Sequence, residues 1–168
     1  MQGLEMLGRL LGAQAKRFTE EGAPDGFWLF GDWHAFIFEA KTDEAEQGGI
    51  SLKTVRQAAT HEQAVRSKKL FPDYVPCLTV VISPRKAIDK LAVPSAGSMF
   101  YASHTDMISL FDAASKAFEE VRAASGGNTD EVLRERFLQH YKHRKLSMQD
   151  VASLLQKKRL DSLPVKEG

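Results

Sequence analysis

The feature that most constrains the fold is a short stretch with charged residues at both of its ends. A Pro-Asp-Gly motif places Asp25 at the start, and the apolar run at residues 36–38 leads into Glu39, an alanine and Lys41. Alternate residues of a strand point to the same face, so Glu39 and Lys41 project together. A hairpin that begins at Asp25 and returns through residues 34–41 would place Asp25 beside Glu39. Two carboxylates next to an ammonium group suit a hard divalent cation and an attacking water.

The rest of the chain predicts a mixed α/β domain. Apolar periodicity and breaker residues predict helices and strands in the order helix, hairpin, helix, two strands and further helices. The predicted helices cover residues 3–18, 51–67, 107–121 and 132–141, with a last one opening at 147, and the predicted strands cover residues 27–30, 34–41, 77–82 and 98–102. The predicted fold class is therefore α/β, with a cap of helices at the C-terminal end.

The composition limits which cellular compartment and which binding partners are expected. The 168 residues contain one cysteine, Cys77, which excludes an internal disulfide, and no apolar stretch approaches the length of a membrane span. With no signal peptide visible, we expect a cytoplasmic protein with no membrane partner. The net charge of +1 does not by itself indicate a nucleic-acid binder. Basic clusters at residues 53–86 and 134–145 would support DNA contact only if they lay on the same side as Asp25.

These residues resemble the PD-(D/E)xK nuclease superfamily, which has the restriction-endonuclease-like fold. The resemblance is carried by the Pro-Asp-Gly motif at Asp25, the strand that ends in Glu39 and Lys41, and the following helix with Gln57. It covers residues 1–85 as an ordered pattern, which looks similar to the cleavage domains of type IIS restriction enzymes and to helicase-associated nuclease domains.

The resemblance implies a domain layout. A nuclease core, with a mixed sheet flanked by helices, would cover residues 1–103. The C-terminal helices, over residues 104–163, would pack on the same domain, and residues 164–168 would form a flexible tail.

The resemblance also implies roles for the charged residues. Asp25 and Glu39, together with the Ala40 carbonyl, would bind Mg²⁺, for which Mn²⁺ would substitute. Lys41 would orient the attacking water or stabilise the charge that develops on phosphorus. Gln57 would complete the catalytic set beside the metal.

Further site residues are predicted from the first and second helices. Glu5 is a candidate metal ligand because family members often place a glutamate there, although an exposed helical glutamate needs no such role. Lys53 and Arg56 could hold phosphates, and Gln57 and His61 would contact nucleic acid. Histidine replaces the more usual tyrosine at position 61, and a solvated polar helix face is the alternative interpretation.

The predicted function is a Mg²⁺-dependent DNA endonuclease, either of the restriction or defence type or a nuclease module of a larger DNA-processing protein. Cutting both strands would need a homodimer or two sequential nicks, and specificity would come from another domain or subunit, such as a helicase. The alternative is a catalytically inactive module of the same fold that binds nucleic acid or serves in assembly. An exonuclease or an RNA-directed enzyme would use the same chemistry.

Overall fold

The computed structural model describes residues 2–124, 126–127 and 129–167, and in these ranges helices pack on both faces of a central β-sheet. The α-helices are α1 (Gln2–Leu10), α2 (Leu52–Ser67), α3 (His104–Ala123), α4 (Asp130–His143) and α5 (Met148–Leu155). The strands are β1 (Gln14–Lys16), β2 (Gly26–Phe30), β3 (His34–Ala40), β4 (Cys77–Ser83), β5 (Ile88–Asp89), β6 (Phe100–Ser103) and β7 (Val165–Lys166). Short 3-10 helices cover Lys90–Ser95 and Leu160–Ser162.

The central sheet is mixed. Its strand order is β1-β2-β3-β4-β6, with β2 antiparallel to both β1 and β3, and with β3, β4 and β6 parallel. The predicted α/β class, with a mixed sheet flanked by helices, is therefore confirmed. The carboxyl ends of the three parallel strands meet at one edge of the sheet, which is where ligands bind in open α/β sheets.

Alternation along β3 divides the core between the two faces of the sheet. Phe36, Phe38 and Ala40 belong to the large apolar cluster shared with α1, α3 and α5. Ile37 belongs to a separate cluster that includes a residue of α2, and Glu39 shares its face. All five of these residues are buried, as expected for a strand covered on both sides. The charged side chain of Glu39 thus lies under α2 rather than in solvent.

Helix α2 begins where the sequence predicts. Ser51 is its N-cap, and its hydroxyl accepts a hydrogen bond from the Thr54 amide at 3.2 Å. The caps of α3 and α5 are formed by Ser103 and Ser147, each in a capping box with the aspartate three residues later. These caps fix where the helices start relative to the carboxyl edge of the sheet.

The first predicted helix is too long. It ends at Leu10, and Gly12 adopts a φ of +83°, which turns the chain back along the sheet. Residues Gln14–Lys16 then pair with β2 as an edge strand. Phe18, which matched the helical spacing, packs instead in the cluster on the other face of the sheet. Tertiary pairing has overridden the local pattern.

The predicted flexible tail is partly ordered. Val165–Lys166 pairs in parallel with Ile88–Asp89, and the Ile88 amide donates to the Pro164 carbonyl at 2.9 Å. The prediction is therefore wrong for these two residues of the tail. Met1 and Gly168, the outer limits of the predicted core and tail, lie outside the described residues.

A C-terminal segment covers the outer edge of β6. The Tyr101 amide donates to the Lys158 carbonyl at 2.8 Å, and the Leu160 amide donates to the Met99 carbonyl at 2.9 Å. Phe100 and Arg159 form an antiparallel bridge between these bonds. The backbone at residues 158–160 is thereby fixed against the end strand of the sheet.

In the part of the chain that the structure describes, no helix combines the length and the apolarity that a membrane crossing requires.

Helix α1 approaches the sheet so closely that one position admits only glycine. The Trp28 indole donates to the Leu4 carbonyl at 2.8 Å, and a Cβ on Gly8 would collide with that indole and lie 2.7 Å from the Ala15 Cβ. We expect Gly8→Ala to lower the free energy of unfolding by about 1–3 kcal/mol, because the core must shift to admit the methyl group. Urea denaturation measures this change.

The matched control is Gly3→Ala on the same helix, where no atom lies within 4 Å of the added Cβ. This variant should be neutral, or more stable by up to about 1 kcal/mol. Equal effects of the two substitutions would contradict the close packing of α1 on Trp28.

Candidate active site at the carboxyl end of β3

The β2–β3 hairpin brings Asp25 beside Glu39. Gly26 pairs with Phe38 in the antiparallel register, so Asp25, one residue earlier, lies opposite Glu39. The Asp25 amide donates to the Phe38 carbonyl at 2.9 Å, and the Ala40 amide donates to Oδ2 of Asp25 at 2.7 Å. The predicted juxtaposition of Asp25 and Glu39 is confirmed, and it is held by backbone hydrogen bonds on both sides.

Glu39 is a fully buried carboxylate, and its two oxygen atoms contact the side chains of Lys41 and His61. The Lys41 Nζ lies 2.5 Å from its Oε1, and the His61 Nε2 lies 2.6 Å from its Oε2. The side chains of Glu39 and His61 have no exposed surface, whereas that of Lys41 is 28% exposed. A buried charge needs such partners, because its loss of hydration is otherwise uncompensated.

The two carboxyl groups are shifted in opposite directions. Burial raises the pKa of the Asp25 carboxyl, and the charge on Glu39 adds to the rise, whereas the hydrogen bond from the Ala40 amide lowers it. Burial also disfavours the charge on Glu39. In this case the hydrogen bond from His61 and the ion pair with the Lys41 ammonium outweigh burial and hold the pKa of Glu39 below its ordinary value.

The oxygen atoms of this pair fit a hard divalent cation. Oε1 of Glu39 is buried and, in the described ranges, has no partner with hydrogen-bond geometry, although it contacts the Lys41 ammonium. Asp25 uses Oδ2 for the Ala40 amide, and no bond to its Oδ1 is found from the described residues. Mg²⁺ commonly takes one or two carboxylates and completes its shell with waters and phosphate oxygens. In the same ranges, no group of three or more His, Cys, Asp or Glu side chains is gathered to hold a metal by itself.

The predicted contacts on α2 fall into two groups. Lys53 and Arg56 are exposed, and Gln57 is half-buried one helical turn before His61. Since His61 contacts Glu39, Gln57 lies on the same side of the helix, nearer its N-terminus. The expected roles of these three residues remain predictions.

His61 is not on the surface, and the prediction that it contacts nucleic acid is wrong. Its side chain is fully buried, and its ring is the partner of Glu39. The sequence contained a signal for this, because Ala58, His61 and Val65 are spaced as one buried stripe of α2. Nδ1 of His61 has no hydrogen-bond partner among the described residues. Because a carboxylate oxygen can only accept, the His61 ring donates from Nε2 in this contact.

Glu5 is not brought to the pair. It forms an ion pair with Arg9 at 2.6 Å and lines a cavity with Phe137 and Tyr141, between α1 and the C-terminal helices. The residues of α1 that line the cavity beside Ala40 are a glycine and two leucines. The predicted metal ligand Glu5 is therefore wrong in this arrangement, because the face of α1 near the site is apolar.

Arg85 is a site residue whose role sequence reasoning missed. The Arg85 Nη1 donates to the Gly49 carbonyl at 2.8 Å, and its Nε lies 3.3 Å from the Ala45 carbonyl and 3.4 Å from Oε2 of Glu44. It thus fastens the acidic loop that follows Lys41. An arginine 36 residues from its loop partner leaves no local signal in the sequence.

Comparison of this chain with protein-family models, with curated proteins and with solved structures finds no match.

The opposite pKa shifts give opposite effects on stability. We expect Glu39→Gln to lower the free energy of unfolding at pH 7 by about 1–3 kcal/mol, because the ion pair with Lys41 and the charge-assisted hydrogen bond with His61 are lost. Asp25→Asn should raise it by roughly 0.5–2 kcal/mol, because it removes a carboxylate disfavoured by burial and by Glu39. Urea denaturation of both variants and wild type at several pH values measures these differences.

The pH dependence follows from the direction of each shift. The contribution of Glu39 is complete above the ordinary glutamate pKa of about 4.3 and is lost as pH falls through its lower folded pKa. The penalty from Asp25 is complete above its raised folded pKa and absent below the ordinary aspartate pKa of about 3.9. Asp25→Asn should therefore approach wild type below the ordinary aspartate pKa, and Glu39→Gln should approach it only at a pH below the lowered folded pKa of Glu39. Destabilisation by both substitutions at pH 7 would contradict the assigned shift of Asp25.

Proposed function

We propose that this protein is a Mg²⁺-dependent nuclease that hydrolyses DNA phosphodiester bonds at the carboxyl end of β3. The observation that carries the proposal is the convergence of Asp25, Glu39 and Lys41 on one point. The pair of carboxylates is held by strand register rather than by flexible loops, and Glu39 is kept charged in a buried position. An ion pair at a strand end would need neither the burial nor the opposing aspartate.

The metal would be held by one oxygen each from Asp25 and Glu39, with the Ala40 carbonyl as the predicted third protein ligand. When bound, Mg²⁺ supplies a polarised phosphate oxygen and a water of lowered pKa. Mn²⁺ is expected to substitute, because it accepts the same oxygen ligands.

The chain's own residues would prepare the reaction in three ways. His61 fixes the rotamer of Glu39 by donating to Oε2, which leaves Oε1 to the Lys41 ammonium and would leave it to the metal once that ammonium moves. The Ala40 amide fixes Oδ2 of Asp25 in the same manner. Lys41 is partly exposed and can move from Oε1 to the phosphate, where its ammonium would offset the negative charge that develops in the transition state.

The proposal includes partners. A single site of this kind cuts one strand, so cleavage of both strands would require a homodimer or successive nicks. Sequence specificity would come from another domain or subunit, as in a restriction or defence nuclease or a helicase-linked enzyme. The finer assignment to a restriction-endonuclease-like fold belongs to this proposal, and it is supported by the order of the sheet and by the position of one carboxylate just before β2 and the other on β3.

A nicking assay tests the activity. We expect supercoiled plasmid to be relaxed or linearised in Mg²⁺ or Mn²⁺ and to remain intact in EDTA. Lys41→Ala should lower the rate by a factor of about 10² or more, because the charge on the phosphate is left unbalanced. The matched control is Lys116→Ala, an exposed lysine of α3, which should cleave like wild type. Cleavage by Lys41→Ala at the wild-type rate would overturn the assigned role of this lysine.

Metal binding is tested separately by thermal unfolding. We expect Ca²⁺ or Mg²⁺ at tenfold its dissociation constant to stabilise the fold by about 1.4 kcal/mol through linkage, because a bound cation relieves the repulsion between Asp25 and Glu39. Asp25→Asn should abolish this increase in Tm, and Glu119→Gln, an exposed carboxylate on α3, should retain it. A wild-type Tm that is indifferent to millimolar Ca²⁺ would argue for the inactive module instead.

A further inference from the structure

A second feature lies on the same edge of the sheet as the carboxylates. Glu39 is in register with Val81, and Val81 is in register with Tyr101, so these residues form one row across β3, β4 and β6. Two residues further along β4 and β6, Ser83 pairs with Ser103. Neighbouring strands lie about 4.8 Å apart, so Ser103 on β6 is roughly 10 Å from the strand that carries Lys41.

An open cavity of about 380 Å³ begins at that point of the edge. Three lysines from two separate segments line it, namely Lys86, which follows β4, and Lys157 and Lys158, which follow α5. All three are exposed, and across the described ranges none of them has an ion-pair partner. Other cations near the sheet differ in this respect, since Lys41 and Arg85 are each paired with a glutamate.

The cavity is held in place by the backbone. The Lys158 carbonyl accepts the Tyr101 amide at 2.8 Å, and the Lys158 ammonium lies 5.7 Å from the centre of the Tyr101 ring. The Tyr101 hydroxyl donates to the Ser83 carbonyl at 3.1 Å, so the ring itself is anchored to β4. Lysines on an anchored segment lose less conformational freedom when they bind an anion than lysines on a free loop.

The carboxylate in the cavity is already engaged. Oδ2 of Asp106 accepts the Ser103 amide at 3.0 Å and the Ser103 hydroxyl at 2.5 Å as part of the capping box of α3. The cavity is lined by one carboxylate, which already accepts hydrogen bonds, and by three ammonium groups without an ion-pair partner among the described residues. Its net charge is therefore positive. Exposed and unpaired lysines gathered in a concave site suit the phosphate groups of a polyanion.

We infer that Lys86, Lys157 and Lys158 bind backbone phosphates of the nucleic-acid strand whose scissile bond lies at Asp25 and Glu39. This inference rests on the proposed function, because the strand must run along the carboxyl edge of the sheet from β3 to β6. A duplex advances about 3.4 Å per nucleotide of each strand, so 10 Å corresponds to about three nucleotides. The contacts are to phosphates and carry no sequence information.

Binding of a fluorescent duplex of about 20 base pairs, measured by anisotropy in Ca²⁺ and in EDTA at several salt concentrations, tests the inference. We expect the double substitution Lys157→Gln and Lys158→Gln to weaken binding about tenfold at 0.1 M salt. The slope of log Kd against log salt should fall by about 1–2, because binding releases about one counterion fewer for each phosphate contact that is lost. Lys86→Gln should act in the same direction by about threefold.

The matched control removes the same charge elsewhere. Lys116→Gln with Lys142→Gln, two exposed lysines on α3 and α4, should leave Kd within about twofold of wild type. Replacing both Lys157 and Lys158 by arginine should restore the affinity and the salt slope, because the positive charge is retained. Circular dichroism and thermal melting of all variants confirm that the fold is unchanged.

Three results would overturn the inference, and they differ in what else they affect. If the glutamine pair binds duplex like the control pair, the lysine contacts are wrong and the proposed function stands. If inorganic phosphate or a mononucleotide binds wild type as tightly as the duplex does, and needs the same lysines, the cavity holds a free small anion and not a strand. If wild type binds no duplex under any condition, the inference and the proposed nuclease function fail together.

Discussion

The buried charge of Glu39 is the constraint on which the rest of this structure depends. A carboxylate with no exposed surface must find donors inside the protein, and the two it finds come from different elements. Lys41 directly follows β3, the strand that carries Glu39, whereas His61 lies on α2, two turns into the helix. The contact with His61 therefore fixes how α2 sits over β3. The position of α2 in turn decides which apolar residues of β3 and β4 are covered on that face of the sheet.

Asp25, the carboxylate opposite Glu39, lies in a different environment. Asp25 is only half-buried, it receives one backbone hydrogen bond, and its ionised form is disfavoured by burial and by Glu39. A structure selected for stability alone would place a neutral residue there. Retaining an aspartate opposite a buried glutamate makes the bare site electrostatically unfavourable, and a positive ligand relieves that repulsion. The strain is local, because the β2–β3 register holds both residues in place whether or not a ligand is present.

Sequence reasoning succeeded where the signal was local and failed where it was not. The hairpin around Asp25 and Glu39 and the starts of α2 and of the last helix near residues 51 and 147 were predicted because turn residues, alternation and caps act over a few positions. Phe18 was misplaced because its helical spacing competed with a strand pairing that no nearby residue indicates. His61 was misjudged for a related reason. A histidine is polar by type, and only its distant partner Glu39 makes a buried position favourable for it.

The covered edge of β6 has a consequence for how this protein can associate with other chains. An unprotected end strand offers a row of free amides and carbonyls to any extended peptide, including another copy of the same sheet. Here the segment at residues 158–160 already occupies that row, and the opposite end of the sheet is the three-residue strand β1. Addition of a strand to the central sheet is blocked at β6, and at the other end only the three residues of β1 are available for pairing. Self-association by extension of the central sheet at β6 is therefore blocked, which leaves the carboxyl edge and its lysines open.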